Sequence, residues 1–592
     1  MSSSRQVSSL RRRGAAVVCG AALATMVAAA RGDEVAGPSA VPSAAPEPDD
    51  RGSRPVRLNT VGYLPDAAKL ASFPGEAAPF RVVRTTDERT VLAGQSSVAV
   101  LNNDTGERLS TVNFSELAES GVYRVHVEGI GASPEFCIDR SAYNAPFYTV
   151  MRGMTLWRCG AAVSGRHRGE TFAHAACHQQ DAKAEVAGQA GVVKDGAGGW
   201  HDAGDYNKYV VNAGVTVGMM LQAWDHFGDR LAGLALDVPE SGDEVPDYLD
   251  EIRWELDWVL TCQQADGSVL HKLSTKAFGP FIPPEEETTP RFFAPWSSAA
   301  TADLAALGAW ASRAFAPYDA EFAARCLAAA RASHRFLARS PENRPADLTG
   351  FSTGTYQTDD ADDRLWAAVE LWRTTGEEAY LREAEERIGA LADRAGPEGS
   401  VVDFDWDWSN VRNLGLYGYA LSDRPERDPR LVERVRRDVV RTADELAARS
   451  LAHGYGRPLG ERYYWGCNGG VARTALTLEA ARRIAPDPRY RAAQLRSLDY
   501  LFGRNYYGRC FVTGLGLYPP RRPHDRRNSI GGANRPWPGY LVGGGWPKAT
   551  DWRDEEANYR TNEIAINWNG ALVYALAPLV EPDTFDLARA NK

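Results

Sequence analysis

Two carboxylates three residues apart, Asp202 and Asp205, stand in the stretch GGWHDAGDYNKYVVNAG, between a glycine-rich approach and a run that could begin a helix. Like charges at that spacing repel unless a site uses or neutralises them, and glycines lose extra backbone entropy unless the chain must bend or approach something closely. Trp200, Tyr206 and Tyr209 put aromatic surface around the pair. A carboxylate that activates water is one half of glycosidic hydrolysis, and sugar rings stack on aromatic faces. The competing reading is a structural turn with a helix cap.

Stepping outward, the chain of 592 residues is long for one core, so two or more domains are expected. Seventy-seven acidic against 67 basic residues give a net charge of −10, well mixed along the sequence. That balance disfavours nucleic acid or an anionic membrane as partner. Arg5 and Arg11–Arg13 precede the apolar run GAAVVCGAALATMVAAA, the pattern of an export signal over 1–30, so a secreted or periplasmic monomer with no membrane anchor after processing is expected. Residues 31–55 are rich in Pro, Ala and acid and read as a linker. Over 56–140, runs such as VRLNTVGYLP, FRVVRTT and GVYRVHVEG alternate between turn residues, as in a small β-sandwich. From 141 to 583 the period becomes helical, with a dozen segments that pair as hairpins and could close as an inner and an outer ring; residues 584–592 are a tail.

Three stretches, GGWHDAGDYNKYVVNAG, FVTGLGLYPPRRPHDR and NYRTNEIAINWNGALVYALAPLV, resemble in order the signature regions of glycoside hydrolase family 9. LNTVGYLP resembles the first strand of the immunoglobulin-like domain that precedes the barrel in one branch of that family. The resemblance implies a mainly α fold, an (α/α)6 barrel behind an immunoglobulin-like β-sandwich, and inverting cleavage of β-1,4-glucosidic bonds in cellulose, related β-glucans or cello-oligosaccharides. It makes Asp202 and Asp205 the water-activating pair and Glu563 the proton donor. Read alone, Glu563 is a helix N-terminal charge with apolar neighbours that would raise its pKa, and Glu555 and Glu556 are rivals. His524 and Arg526 carry hydrogen-bond donors suited to sugar hydroxyls, and the resemblance places both at the cleavage site and makes Asp554 an organiser of the surrounding network. The motif reads HDR where many relatives have a second histidine. Trp408, Trp465 and Tyr356 are candidate sugar platforms. Exo action and a non-catalytic carbohydrate binder are the alternatives, and three retained carboxylates argue against the binder.

Eight cysteines include Cys19 in the leader, which leaves an odd seven in an exported chain. Cys159, Cys177 and His178 are spaced as zinc ligands could be, with His201 as a fourth. Such a closed Cys2His2 set has no open position and would be structural; the alternative is a Cys159–Cys177 disulfide. The family branch with the immunoglobulin-like domain carries zinc at these positions. Asp359, Asp362 and Asp363, with Asp407 joining from a distance, invite calcium, although the spacing is not an EF-hand and an acidic helix N-terminus reads equally well. No organic cofactor is expected.

Overall fold

The computed structural model describes residues 54–530 and 535–587; the expected leader, residues 31–53 of the linker and the tail from 588 lie outside the described residues. Eight short strands form the sandwich: β1 (Leu70–Pro74), β2 (Pro79–Arg84), β3 (Arg89–Gln95), β4 (Val100–Asn102), β5 (Glu107–Asn113), β6 (Gly121–Val127), β7 (Gly131–Ala132) and β8 (Phe136–Ile138). One sheet has the order β1-β5-β4 and the other β3-β2-β6-β7, with β8 also pairing β6. The alternating runs read from sequence explain why. Val82, Val125, Val127 and Phe136 point into a core completed by Tyr63, Phe73 and Phe114.

The remainder is helical: α1 (Asn144–Leu156), α2 (Val210–Leu231), α3 (Asp247–Thr261), α4 (Ser298–Phe315), α5 (Ala320–Arg339), α6 (Ala361–Thr375), α7 (Glu378–Ala395), α8 (Arg412–Leu421), α9 (Pro429–Ala452), α10 (Cys467–Ile484), α11 (Pro488–Leu501), the single turn α12 (Tyr559–Asn562) and α13 (Ile566–Leu576). Helices α2, α4, α6, α8, α10 and α13 contact one another in that order and α13 returns to α2, which closes the inner ring. Each inner helix leans on an outer one: α3, α5, α7, α9, α11 and α1 respectively. Composition assigns the layers. Inner α13 is buried along its whole length, whereas outer α9 buries Val435, Val439, Thr442, Leu446 and Ser450 at helical spacing and turns its arginines outward. Asp428 followed by Pro429, and Asp487 followed by Pro488, cap the starts of α9 and α11.

Two features depart from the sequence reading. The run after the aspartates does not turn helical at once: α2 begins at Val210, because Lys208–Tyr209 form strand β13 and pair with Lys272–Ser274, β14. Long loops at that end of the barrel also carry a two-stranded ribbon, β9 (Val163–His167) with β10 (Glu170–His174), and join a five-stranded sheet that adds β11 (Ala184–Val186), β12 (Val193–Lys194) and β15 (Phe292–Phe293). Strands of two to five residues leave no readable alternation.

The sandwich is latched to the barrel by buried polar pairs. Asn59 donates to the Tyr143 hydroxyl at 3.1 Å and to Asp499 at 2.9 Å, and Arg504 donates to Ser72 at 3.0 Å. Asp104, after β4, accepts from Nε2 of His453 at 3.0 Å and from the Tyr463 hydroxyl.

Candidate active site

The Asp202–Asp205 loop is bent against two other segments by backbone bonds. Arg526 N–H donates to Gly204 O at 3.0 Å, Ile566 N–H to Asp202 O at 2.9 Å, and His524 N–H to Asn562 O at 2.8 Å. The glycines are explained by this crowding: a Cβ on Gly204 would lie 2.2 Å from the His524 carbonyl, and one on Gly199, whose φ is +74°, would lie 2.8 Å from the Trp258 ring. The turn therefore serves the close approach of three chain segments. Its consequence is that carboxylates far apart in sequence face one cleft.

That cleft, about 330 Å³, is lined by Asp202, Asp205 and Glu563 together with Tyr209, Phe278, Tyr356, Asp407, Trp408, Trp465 and Trp568. Asp202 accepts from Nδ2 of Asn212 at 2.7 Å and from the Tyr356 hydroxyl at 2.8 Å. Burial, and then the charge of Asp205, push its pKa up to about 8. Burial also raises Asp205, but Arg526 and the Asn207 amide, 2.5 Å away, oppose the rise. Of the two, Asp205 is the one whose charged form is favoured by a neighbouring cation, because Arg526 opposes the rise there and no cation does so at Asp202. Burial first, then the charges of Asp205 and Asp202, lift Glu563 well above the ordinary carboxyl range, against a hydrogen bond from Trp465. The environments therefore differ across the single cleft: a cation favours the charged form of Asp205, while burial and two neighbouring carboxylates favour the neutral form of Glu563.

His524 and Arg526 lie beside the aspartate loop, His524 with its carbonyl against Gly204 and Arg526 with its charge acting on Asp205. Nδ1 of His524 pairs with Glu556 O at 2.7 Å, while Phe281 packs edge-on at 5.1 Å. Asp554 does not line the cleft; it accepts from the Arg521 and Arg522 backbone N–H groups, from Arg509 at 2.8 Å and from Asn562 at 3.3 Å, and so braces the turns that carry His524 and Glu563.

Beside the loop, Cys159, Cys177, His178 and His201 are all buried, with one ligand atom from each lying within 4.8 Å of the others. Tetrahedral zinc, with bonds of about 2.3 Å to sulfur and about 2.1 Å to nitrogen, separates a sulfur from a nitrogen ligand by about 3.6 Å. Cys177 Sγ lies 3.7 Å from His201 Nε2, Nδ1 of His178 has no hydrogen-bond partner, and both cysteines are free thiols. The donor set fits a structural zinc site.

The model of glycosyl hydrolase family 9 matches residues 143–576, and that of the cellulase N-terminal Ig-like domain matches residues 51–132. The chain belongs to glycosyl hydrolase family 9. It is 48% identical over 528 residues to endoglucanase D of Acetivibrio thermocellus, covering 89% of this chain and 83% of that protein. It is 31% identical to a xyloglucan-specific endo-β-1,4-glucanase of Bacteroides ovatus, over 88% of this chain and 92% of the relative. A metagenome-derived family 9 endoglucanase superposes with a TM-score of 0.81 at 33% identity, covering 88% of this chain and 98% of the other. A zinc-binding triple mutant of another family 9 endoglucanase also has a TM-score of 0.81, at 31% identity, over 88% of this chain and all of the other. As a family 9 enzyme with its sandwich ahead of the barrel, the chain is an inverting β-1,4-glucanase, as the three motifs implied.

The family 9 cleft has Tyr356, Trp408 and Trp465 among its lining residues, together with Tyr209 of the aromatic collar read around the aspartates, Trp568 beside Glu563, and Phe278, which the sequence reading passed over. The four aspartates grouped for calcium are not gathered together. Asp407 is in the cleft wall, paired with Arg473 at 3.0 Å and Asn567 at 2.8 Å. Asp359 caps the Ala361 N–H, Asp362 accepts from Val411, and Asp363 is buried against Asp303. Among the described residues, the one group of three or more such side chains that converges is the Cys/His set. Acidic residues close in sequence had suggested a shared point; they feel one another's charge at the start of α6, but each is engaged by a different partner.

Proposed function

We propose that this family 9 chain is an exported endo-β-1,4-glucanase acting on soluble or amorphous β-glucans and cello-oligosaccharides. Asp205 is the base, Asp202 holds the water, Glu563 is the acid, and Cys159, Cys177, His178 and His201 bind a structural zinc. The observation that carries the reading is the contrast across the cleft: Glu563 lifted well above the carboxyl range, facing Asp205 beside Arg526. A protonated Glu563 donates to the leaving glycosidic oxygen, while ionised Asp205 takes a proton from water attacking the opposite face of the sugar. Asp202, fixed by Asn212 and Tyr356, offers a further oriented oxygen to that water. Room for the water calls for carboxyls about 6.5–9.5 Å apart, against about 5–5.5 Å in a retaining pair. Zinc, when bound, supplies a cross-link between the 159–178 segment and His201, the residue preceding Asp202.

The aromatic walls favour stacked glucose units, and Endoglucanase D, the 48% identical relative, supports internal cleavage. Export is supported by the basic and apolar N-terminal pattern. The test is product formation on carboxymethyl cellulose and cellopentaose. Viscosity should fall ahead of the release of reducing ends, and proton NMR should detect the α-anomer first. A β-anomer formed first, or glycosyl azide of retained configuration from Asp205→Ala with azide, would make Asp205 a nucleophile and overturn the mechanism.

A further inference from the structure

Glu287 belongs to none of the motifs above, yet its carboxylate stands between the Cys/His cluster and Arg526. It lies in the loop between β14 and β15 and is 2% exposed. Its Oε2 is 3.1 Å from Nε2 of His178, and its Oε1, which has no hydrogen-bond partner, is 4.0 Å from Nη1 of Arg526. The loop is closed around it: a Cβ on Gly279 would come within 2.4 Å of Oε1, and the Tyr206 hydroxyl ties the same loop at Ile282 O, 2.7 Å away. Arg526 is buried with its Nε unpartnered and its guanidinium carbon 5.9 Å from the Tyr206 ring centre and 5.8 Å from that of Phe278. Aromatic faces attract a cation but do not direct a fork of donors; a carboxylate does.

We propose that Glu287 is a positioning residue for both places at once: it holds His178 with Nδ1 toward the metal and supplies the counter-charge that aims Arg526 at the substrate. This rests on the reading of the cluster as a zinc site and of Arg526 as a sugar clamp. A neutral imidazole carries one N–H, and a carboxylate at Nε2 keeps the proton there, leaving the Nδ1 lone pair for a metal. The same carboxylate holds the permanent charge of Arg526 between itself and Asp205, so that the guanidinium does not collapse onto the base. A shift of the metal-bound loop is thereby felt at the cleft.

The test uses the full chain with Glu287→Gln, Glu287→Ala, Arg526→Ala and the double variant Glu287→Gln/Arg526→Ala. Zinc affinity is read by competition with a chromophoric chelator, alongside kcat and KM on cellopentaose and the thermal transition. Glu287→Ala should weaken zinc about 10- to 100-fold. Glu287→Gln, which keeps the volume and one acceptor for His178, should keep the thermal transition and hold zinc within about 10-fold, while losing about 10- to 100-fold in kcat/KM through misaimed Arg526. The double variant should be no worse than Arg526→Ala alone, because the two residues act as one unit. Full kcat/KM in Glu287→Gln, additive losses in the double variant, or unchanged zinc affinity in Glu287→Ala overturns the proposal. If Arg526→Ala is itself without effect, or the parent chain binds no zinc, the underlying site reading fails as well; a costly Arg526→Ala beside a neutral Glu287→Gln sinks this inference alone.

Discussion

Replacing Asp104 by alanine should loosen the latch between sandwich and barrel and be felt at the cleft. The carboxylate is 3% exposed and accepts from His453, Tyr463 and Asn102. Removing it strands the His453 and Tyr463 donors, each worth about 1–3 kcal/mol when buried and unpaired. Taking about 3 kcal/mol for the pair, and an unfolding entropy of about 1 kcal/mol/K for a cooperative unit of roughly 500 residues, the thermal midpoint falls by about 3 °C. Tyr463 is two residues before Trp465, the indole that hydrogen-bonds Glu563, so kcat/KM should drop with the stability. Asp104→Asn keeps an acceptor and should recover at least half of the loss. The assay is calorimetry at a fixed scan rate, because unfolding of so large a chain is scan-dependent, paired with cellopentaose kinetics. A midpoint within 0.5 °C of the parent for Asp104→Ala, in a scan that resolves about 1 °C, would show that the latch carries no weight.

Trp465→Phe removes the donor that lowers the Glu563 pKa, so the acid stays protonated to higher pH and the basic limb of the kcat/KM profile should move up by roughly half a unit to one unit; a downward move refutes the assignment of that limb. Asp303→Asn should stabilise the protein at pH 8 and not at pH 4. Burial raises Asp303 and Asp363 well above the range in which they ionise when unfolded, so stability is lost as pH rises beyond about 4, and the amide removes part of that loss; a gain independent of pH counts against it. Stripping zinc should lower the melting temperature before activity falls, and Cys177→Ser should fold poorly; instant inhibition of fully folded enzyme by a chelator would contradict a structural role.

Much of the site was legible because its residues are held by local necessity. Gly204 is fixed by the His524 backbone and Gly199 by its positive φ and the Trp258 ring, and Asp202 and Asp205 come with them. Glu563 was singled out through its motif; its apolar neighbours were visible in the sequence, but the charges of Asp205 and Asp202, which raise it further, come from hundreds of residues away. Asp407 was grouped with the acids of the α6 start as a residue that could join them from a distance, on composition alone; its partners are Arg473 and Asn567. Glu287 was invisible. In FIPPEEETTP nothing distinguishes it from its two neighbours, and its partners, His178 and Arg526, come from opposite sides of it in the chain. The ring closure could be inferred from helix number and order, but the short strands that shape the cleft loops leave too few residues to read.

The closure of the inner ring has a consequence for the life of the molecule before it is finished. Helix α13 is the segment that joins α10 to α2, and Glu563 arrives just ahead of it. On the roles proposed here, a growing chain carries Asp202, Asp205 and the Cys/His set hundreds of residues before it has Glu563, and without that acid the proposed mechanism cannot run. Catalytic competence appears in one step, with the last helix, so every active molecule is one whose ring has already sealed. Partial products of synthesis or proteolysis that end before Glu563 lack both the closing helix and one wall of the cleft.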